Sequence, residues 1–326
     1  MANWIALSDG ENEGREGAGG TLLTRGSFVL EFDLPLDGPS VLLDFRAQNG
    51  WERAFSIFVD PAGGVSIAHR QGDRLRRYVL PGSVDMRTVG PARLTLVWDA
   101  PARWWRMRLE QPGGVSVRRT QGRDPMPMML DDVQEICRSD GQTARHRAVA
   151  WFGVTSGRAL PDSGPWIGLN TPIDTAAGPR LAGSLRPGDL VVSDFGGVVP
   201  VRSVRQINLP SRGSFAPVLL RAPYFGGRVD LLVSSDQMIL QRGPEVEYLF
   251  GEDQVLAEAR HLTDGRSALF DQRRTITSCI SLDLGGASVL WADGCALISH
   301  DHDGSGRTTG KALPGRLLHS YETVPL

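Results

Sequence analysis

LTLVWDAPARWWRMRLEQPGG, residues 94–114, alternates apolar and polar side chains on both sides of a short Asp-Ala-Pro turn. Leu94, Leu96 and Trp98 share one face of the first arm, and Trp105, Met107 and Leu109 share one face of the second. Successive side chains of a strand point to opposite faces, so the pattern is a hairpin with one side turned to a core. Trp104 falls on the opposite side and is expected to be exposed. The same rhythm runs outward from this hairpin. GSFVLEFDLPL (26–36) sets Phe28, Leu30, Phe32 and Leu34 against Val29, Glu31 and Asp33. SVLLDFRAQ (40–48) places Val41, Leu43 and Phe45 on one face. AFSIFVDPAGG (54–64) is a strand closed by an Asp-Pro-Ala-Gly-Gly turn, and GVSIAHRQGDRLRRYVLPG (64–82) is two strands around Gln-Gly-Asp. Only DDVQEICRSD (131–140) has a helical pattern. Short alternating runs separated by turn chemistry about every 8–12 residues predict an all-β sandwich.

Within residues 20–157, the Trp-Asp ending of the first arm at 98–99, the Trp-bearing second arm and a closing strand in AVAWFGVTSG (148–157) resemble concanavalin A-like (laminin G-like) jelly rolls. The resemblance implies a jelly-roll sandwich of a kind that binds glycans or protein surfaces. A sugar offers an apolar C–H face and a hydroxyl edge, which suits an aromatic ring beside planar polar groups. Asn49 and Trp51, in RAQNGWERAF (46–55), sit in a loop with this chemistry, and Trp104 joins them as a glycan-binding candidate. The alternative is that these aromatics cap the sandwich. Asp33, Asp37, Asp44 and Asp60 lack the tight oxygen-ligand spacing of a calcium loop, so no metal is expected. A polysaccharide-degrading enzyme is a further alternative. It needs two carboxylates about 5–10 Å apart, with Glu31, Asp33, Asp44 and Glu110 as candidates.

TSGRALPDSGPWIG (155–168) is small, polar and Pro-containing, the composition of a linker. The expected division is a sandwich at 1–162, a second β-domain at 163–300 and a polar tail at 301–326. Strand patterns continue in GDLVVSDFGGVVPVRSVRQINL (188–209), VDLLVSSDQMILQ (229–241), DQVLAEARHLTDG (253–265) and TITSCISLDLGGASVLWADG (275–294). Five ordered segments stand out among them. These are Leu-Arg-Pro-Gly-Asp at 185–189, Val-Pro-Val-Arg at 199–202, Leu-Leu-Val-Ser-Ser-Asp-Gln at 231–237, Val-Leu-Ala-Glu-Ala-Arg-His-Leu at 255–262 with Gly265, and Asp283 followed by Val-Leu-Trp-Ala-Asp-Gly at 289–294. Together they resemble the Hedgehog/intein (Hint) domains of alphaproteobacterial proteins.

What that resemblance implies is self-cleavage. A Cys or Ser at the first residue attacks the preceding carbonyl, and a histidine on a neighbouring strand protonates the leaving amide nitrogen. Setting Thr171-Pro172 on the family's "CFTPGT" puts Leu169 at the nucleophile, with a lead-in to Leu-Arg-Pro-Gly-Asp a few residues short. Gln237 then stands for the family's histidine and Gly285 for a second one. Neither Leu nor Gln can perform its step, so the domain reads as a degenerate Hint fold kept as a scaffold. The alternative is cleavage near Gly168–Leu169, with Thr171, Cys279 or Cys295 substituting. His261 is expected to be a packing residue.

The chain has 326 residues, a formal net charge of −2 and a single lysine, Lys311. This gives no support for nucleic-acid binding. Cys137, Cys279 and Cys295 show no zinc spacing and are expected free and buried. His300-Asp-His302-Asp lacks further ligands at a recognisable spacing, so a polar loop is expected there. No apolar run reaches the roughly 18 residues of a membrane span. MANWIALSDGENEG has neither the basic start nor the apolar core of a signal peptide. The expectation is a non-enzymatic, adhesin-like protein without cofactor. It would be made in the cytoplasm and carried on a cell surface or particle surface. Its partners would be a polysaccharide or cell-surface glycan and a larger assembly such as an envelope, phage or phage-like particle. An oligomer is compatible with this.

Overall fold

The computed structural model describes residues 3–8, 20–47, 50–60, 62–82, 88–112, 117–138, 143–157, 164–193, 197–299 and 313–324. The chain divides into two compact units, Met1–Leu160 and Pro161–Leu326. Strands are the main regular element of both.

The first unit contains β1 (Asn3–Leu7), β2 (Leu22–Leu23), β3 (Arg25–Leu34), β4 (Ser40–Ala47), β5 (Arg53–Val59), β6 (Val65–Gln71) and β7 (Arg74–Leu80). It continues with β8 (Gly90–Asp99), β9 (Trp104–Glu110), β10 (Val117–Arg123), β11 (Met128–Met129), β12 (Thr143–Arg145) and β13 (Val149–Ser156). A six-stranded sheet in the order β1-β13-β3-β8-β9-β10 faces a five-stranded sheet in the order β12-β4-β5-β6-β7. Their inward residues form one core that includes Phe28, Phe45, Phe55, Trp98 and Phe152. This is the β-sandwich the alternation predicts, and the jelly roll the resemblance implies. Leu94, Leu96, Trp98, Trp105, Met107 and Leu109 are all buried, while Trp104 is 36 % exposed. The one helix among the described residues of this unit, α1 (Leu130–Arg138), packs against β1 and β13. Its Val133, Ile136 and Cys137 join the core, and its Asp132 accepts from Arg53 Nε of β5 at 2.7 Å.

Two expectations fail here for local reasons. Val41 does not share a face with Leu43 and Phe45. The β4–β5 register shifts between Val41 and Leu43, which turns Val41 out and buries both Leu42 and Leu43. The segment 155–168 is not linker at its ends. Thr155 is buried in β13 with its hydroxyl 2.5 Å from that of Ser27, and Trp166 and Ile167 are buried in the second unit.

His69 of β6 is buried edge-on against Phe55. Desolvation lowers its pKa from 6.5 to about 4. The unfolded chain therefore binds more protons than the folded one in that window. Stability is full above pH 6.5 and falls as the pH drops toward 4, by about 3 kcal/mol. Urea midpoints compared at pH 7 and pH 4.5 should show this loss. His69→Gln should flatten the profile relative to the unaltered chain; equal slopes would refute the assignment.

The second unit contains β14 (Ile167–Gly168), β15 (Pro172–Ile173), β16 (Arg180–Leu181), β17 (Leu190–Val192), β18 (Val198–Pro200), β19 (Ser203–Pro210), β20 (Val218–Leu220) and β21 (Leu231–Val233). After these come β22 (Met238–Arg242), α2 (Pro244–Phe250), β23 (Gln254–Glu258), β24 (Ala268–Phe270), β25 (Ile276–Asp283), β26 (Val289–Ala292), β27 (Cys295–Ile298) and β28 (Arg316–Leu317). One sheet runs β19-β25-β14-β21-β20-β24 and a second runs β26-β27-β22-β23-β28. The short β14 is clamped between β21 and β25, with Ile167 opposite both Val233 and Ile280. The described part of the tail is not a free polar segment. β28 pairs in parallel with β23, Leu318 N–H donates to Leu256 O at 2.8 Å, and the Leu318 side chain is buried beside Val255.

Candidate functional site

The centre of the second unit lies where the chain enters β14. The peptide Pro165–Trp166 is held at both polar ends. Ser281 Oγ of β25 donates to Pro165 O at 3.0 Å, and Trp166 N–H donates to Ser234 Oγ at 3.2 Å. Ser234 N–H in turn donates to Trp166 O at 2.9 Å. Gln237 is buried one turn beyond Ser234, and its amide donates to Ile298 O at 2.8 Å and Met238 O at 3.0 Å. A cavity of about 20 Å³ lies between Gln237, Pro165, Trp166, Ile167 and Ser299, room for about one water.

Gln237 thus meets Trp166 and not Leu169. Leu169 packs against the core of this unit, and its carbonyl accepts from Gly183 N–H at 2.8 Å. The alignment on Thr171-Pro172 thus differs from the geometry, in which Trp166 is the residue beside Gln237. Nothing in the sequence spacing says that the hydroxyls of Ser234 and Ser281 face one peptide bond.

Gly285 has φ +83°, and a Cβ there would strike the Arg202 guanidinium. Its N–H donates to Asp283 Oδ1 at 2.7 Å. A histidine cannot occupy this turn without displacing Arg202. Thr171 is buried, and its hydroxyl has no hydrogen-bond partner among the described residues. The three cysteines are buried and free. Burial pushes the Cys137 and Cys295 thiols up to about 12 and raises that of Cys279 as well. Thiols so placed stay protonated at neutral pH and are poor nucleophiles. His261 is half-buried, its carbonyl accepts from Thr323 Oγ1 at 2.9 Å, and burial lowers its pKa. Its Nδ1 lies 3.8 Å from Glu258 Oε2. His300 and His302 lie outside the described residues.

In the first unit the candidates separate. Asn49 lies outside the described residues. Trp51 is 43 % exposed, but its ring rests on the buried Arg53 guanidinium at 5.6 Å and covers Gly72 of the β6–β7 turn. Trp104 instead lines an open groove of about 510 Å³ with Arg106, Gln121, Gly122 and Arg123. Gly122 makes room on the opposite face for the buried Trp105 ring, because a Cβ there would lie 2.6 Å from it. A second concavity of about 530 Å³ covers the outer face of β4–β7, where Arg46, Glu52, Arg70 and Arg77 stand among Phe58, Leu75 and other side chains. Neither aromatic candidate reaches it.

Glu31 and Glu110 come together across Arg93 on the outer face of the six-stranded sheet, and all three are buried. Asp33 is exposed two residues further along β3 on the same face as Glu31, and Asp44 on β4 accepts from Ser56 and Arg46. Asp37 pairs with Arg147, and Asp60 accepts from Gly64 N–H within its own turn. Among the described residues no group of three or more His, Cys, Asp or Glu could hold a metal. No helix among them is long and apolar enough to cross a membrane.

Residues 168–302 match the model of the Hint domain family. The second unit resembles a Hint domain over those residues, and the first is a jelly-roll sandwich. No curated protein matches the chain. Among solved structures, the CBM40 module of the Ruminococcus gnavus IT-sialidase is 15 % identical, with 50 % of this chain and 91 % of that chain covered at a TM-score of 0.34. The gp41-1 intein is 13 % identical over 42 % of this chain and 100 % of its own, at a TM-score of 0.25. Tailspike protein 2 of bacteriophage CBA120 is 11 % identical over 44 % of this chain and 24 % of its own, at a TM-score of 0.30.

Proposed function

We propose that this is a non-enzymatic glycan-binding protein of a cell or particle surface. Its jelly roll holds the saccharide, and its Hint fold serves as a scaffold that no longer cuts itself. The observation that carries the reading is the Trp104 groove, which sets an exposed indole beside the planar polar groups of Arg106, Gln121 and Arg123. A flat ring takes the C–H face of a sugar, and guanidinium and amide forks take its hydroxyls. Trp166 and Gln237 support the scaffold role. An indole cannot attack a carbonyl, and an amide cannot donate a proton to a leaving nitrogen near neutral pH.

Trp104→Ala is expected to weaken polysaccharide binding by about tenfold or more. Trp51→Ala should leave affinity almost unchanged, since that ring caps its own sheet. Titration of immobilised capsular and envelope polysaccharides with both variants tests this. If no polysaccharide binds the unaltered chain, or if Trp104→Ala binds as well as it does, the reading fails.

A further inference from the structure

We infer that the glycan held at Trp104 is an acidic polysaccharide, gripped along the outward face of β9 and β10; this rests on the glycan-binding reading above. The register places three rungs side by side: Trp104 opposite Arg123, Arg106 opposite Gln121, and Arg108 opposite Arg119. Alternation puts all six side chains on one face, and the rungs repeat about every 7 Å along the strands. β10 is the last strand of its sheet, so the row runs along the sheet edge, with Arg76 of β7 bonded to the Arg123 carbonyl at one end.

The acids around this face are already matched. Asp99 pairs with Arg25, Asp124 with Arg103, and Glu110 with Arg93 and Arg108. Arg106 and Arg119 make no hydrogen bond or ion pair among the described residues. The face therefore carries surplus positive charge in a chain whose net charge is −2.

Folding alone does not favour this arrangement. Like charges directly opposite across strands are destabilising, and Arg108 faces Arg119. Charge on an edge strand does discourage edge-to-edge pairing, but that role needs neither a groove nor an exposed indole. Guanidinium forks match carboxylates in a bidentate way. Arginines spaced along a line beside a stacking ring fit a linear chain of uronate-like sugars, each with a C–H face and a carboxylate.

The test uses the full chain and three probes: polygalacturonate, neutral dextran and a single-stranded oligonucleotide. Binding is measured by calorimetry at low and at high salt. The expected result is polygalacturonate binding that weakens with salt, as screened charge contacts must. Arg119→Ser and Arg106→Ser should each lower it by roughly tenfold. Arg118→Ser, one residue along on the other face of β10, should leave it unchanged, and it controls for net charge. Salt-indifferent binding to dextran, lost in Trp104→Ala, would overturn the acidic assignment while keeping glycan binding. Binding to none of the polysaccharides would overturn both. Preference for the oligonucleotide, or an equal loss with Arg118→Ser, would also overturn the proposal.

Discussion

Trp166→Ala is expected to cost about 3–5 kcal/mol of folding stability and to leave the chain uncut. The Trp166 side chain is 2 % exposed, in a domain whose short β14 pairs with both β21 and β25. Removing an indole there leaves a cavity the strands cannot close. Urea unfolding followed by circular dichroism measures the loss, and a cost under about 1 kcal/mol would mean that Trp166 is not core. Cleavage is read separately. On denaturing gels the unaltered 35.4 kDa chain, kept for days with dithiothreitol or hydroxylamine, should remain one band. Gln237→His should also stay intact, because a proton donor without a nucleophile starts nothing. A thiol- or hydroxylamine-dependent pair of fragments from the unaltered chain would instead revive autoprocessing, with Pro165–Trp166 as the bond to examine.

The sandwich was legible because its signal is local. Alternation at 94–98 and 105–109 names the buried face directly, and the Gln-Gly-Asp turn at 71–73 fixes a hairpin. Val41 was misread because a bulge inserts one residue into the register, which alternation cannot reveal. The site of the second unit is legible in kind but not in place. The sequence singles out Gln237, but alignment on Thr171-Pro172 sets Leu169 opposite it, whereas the structure puts Trp166 beside it. Ser234 and Ser281 lie 68 and 116 residues from the peptide they hold, and no local pattern connects them. The Trp104 groove was half legible. Its exposure followed from alternation, while Arg106, Gln121 and Arg123 became neighbours only through the β9–β10 register.

Arg93→Ala is expected to destabilise the first unit by about 3–5 kcal/mol, the usual cost of removing one partner from a buried ionic group. One rung of the six-stranded sheet carries Trp151, Glu31, Arg93 and Glu110 in adjacent strands. Arg93 donates to Glu110 Oε1 from Nε at 3.0 Å and from Nη2 at 2.9 Å, and its Nη1 lies 3.7 Å from Glu31 Oε1. Trp151 Nε1 donates to Glu31 Oε2 at 2.9 Å, and Arg108 pairs with the far oxygen of Glu110. Without Arg93, two carboxylates stay buried side by side with a cation missing between them. Adding Glu110→Gln to Arg93→Ala should recover part of the loss, because it removes one of the two stranded charges. If the double variant is no more stable than Arg93→Ala, packing rather than charge governs the rung. The same rung bears on the hydrolase alternative. Of the carboxylates raised for that chemistry, Glu31 and Glu110 are the two brought together, and both are sealed from solvent and committed to arginine. Glycoside hydrolysis asks for an acid and a base that can reach a sugar. This rung supports the sheet instead.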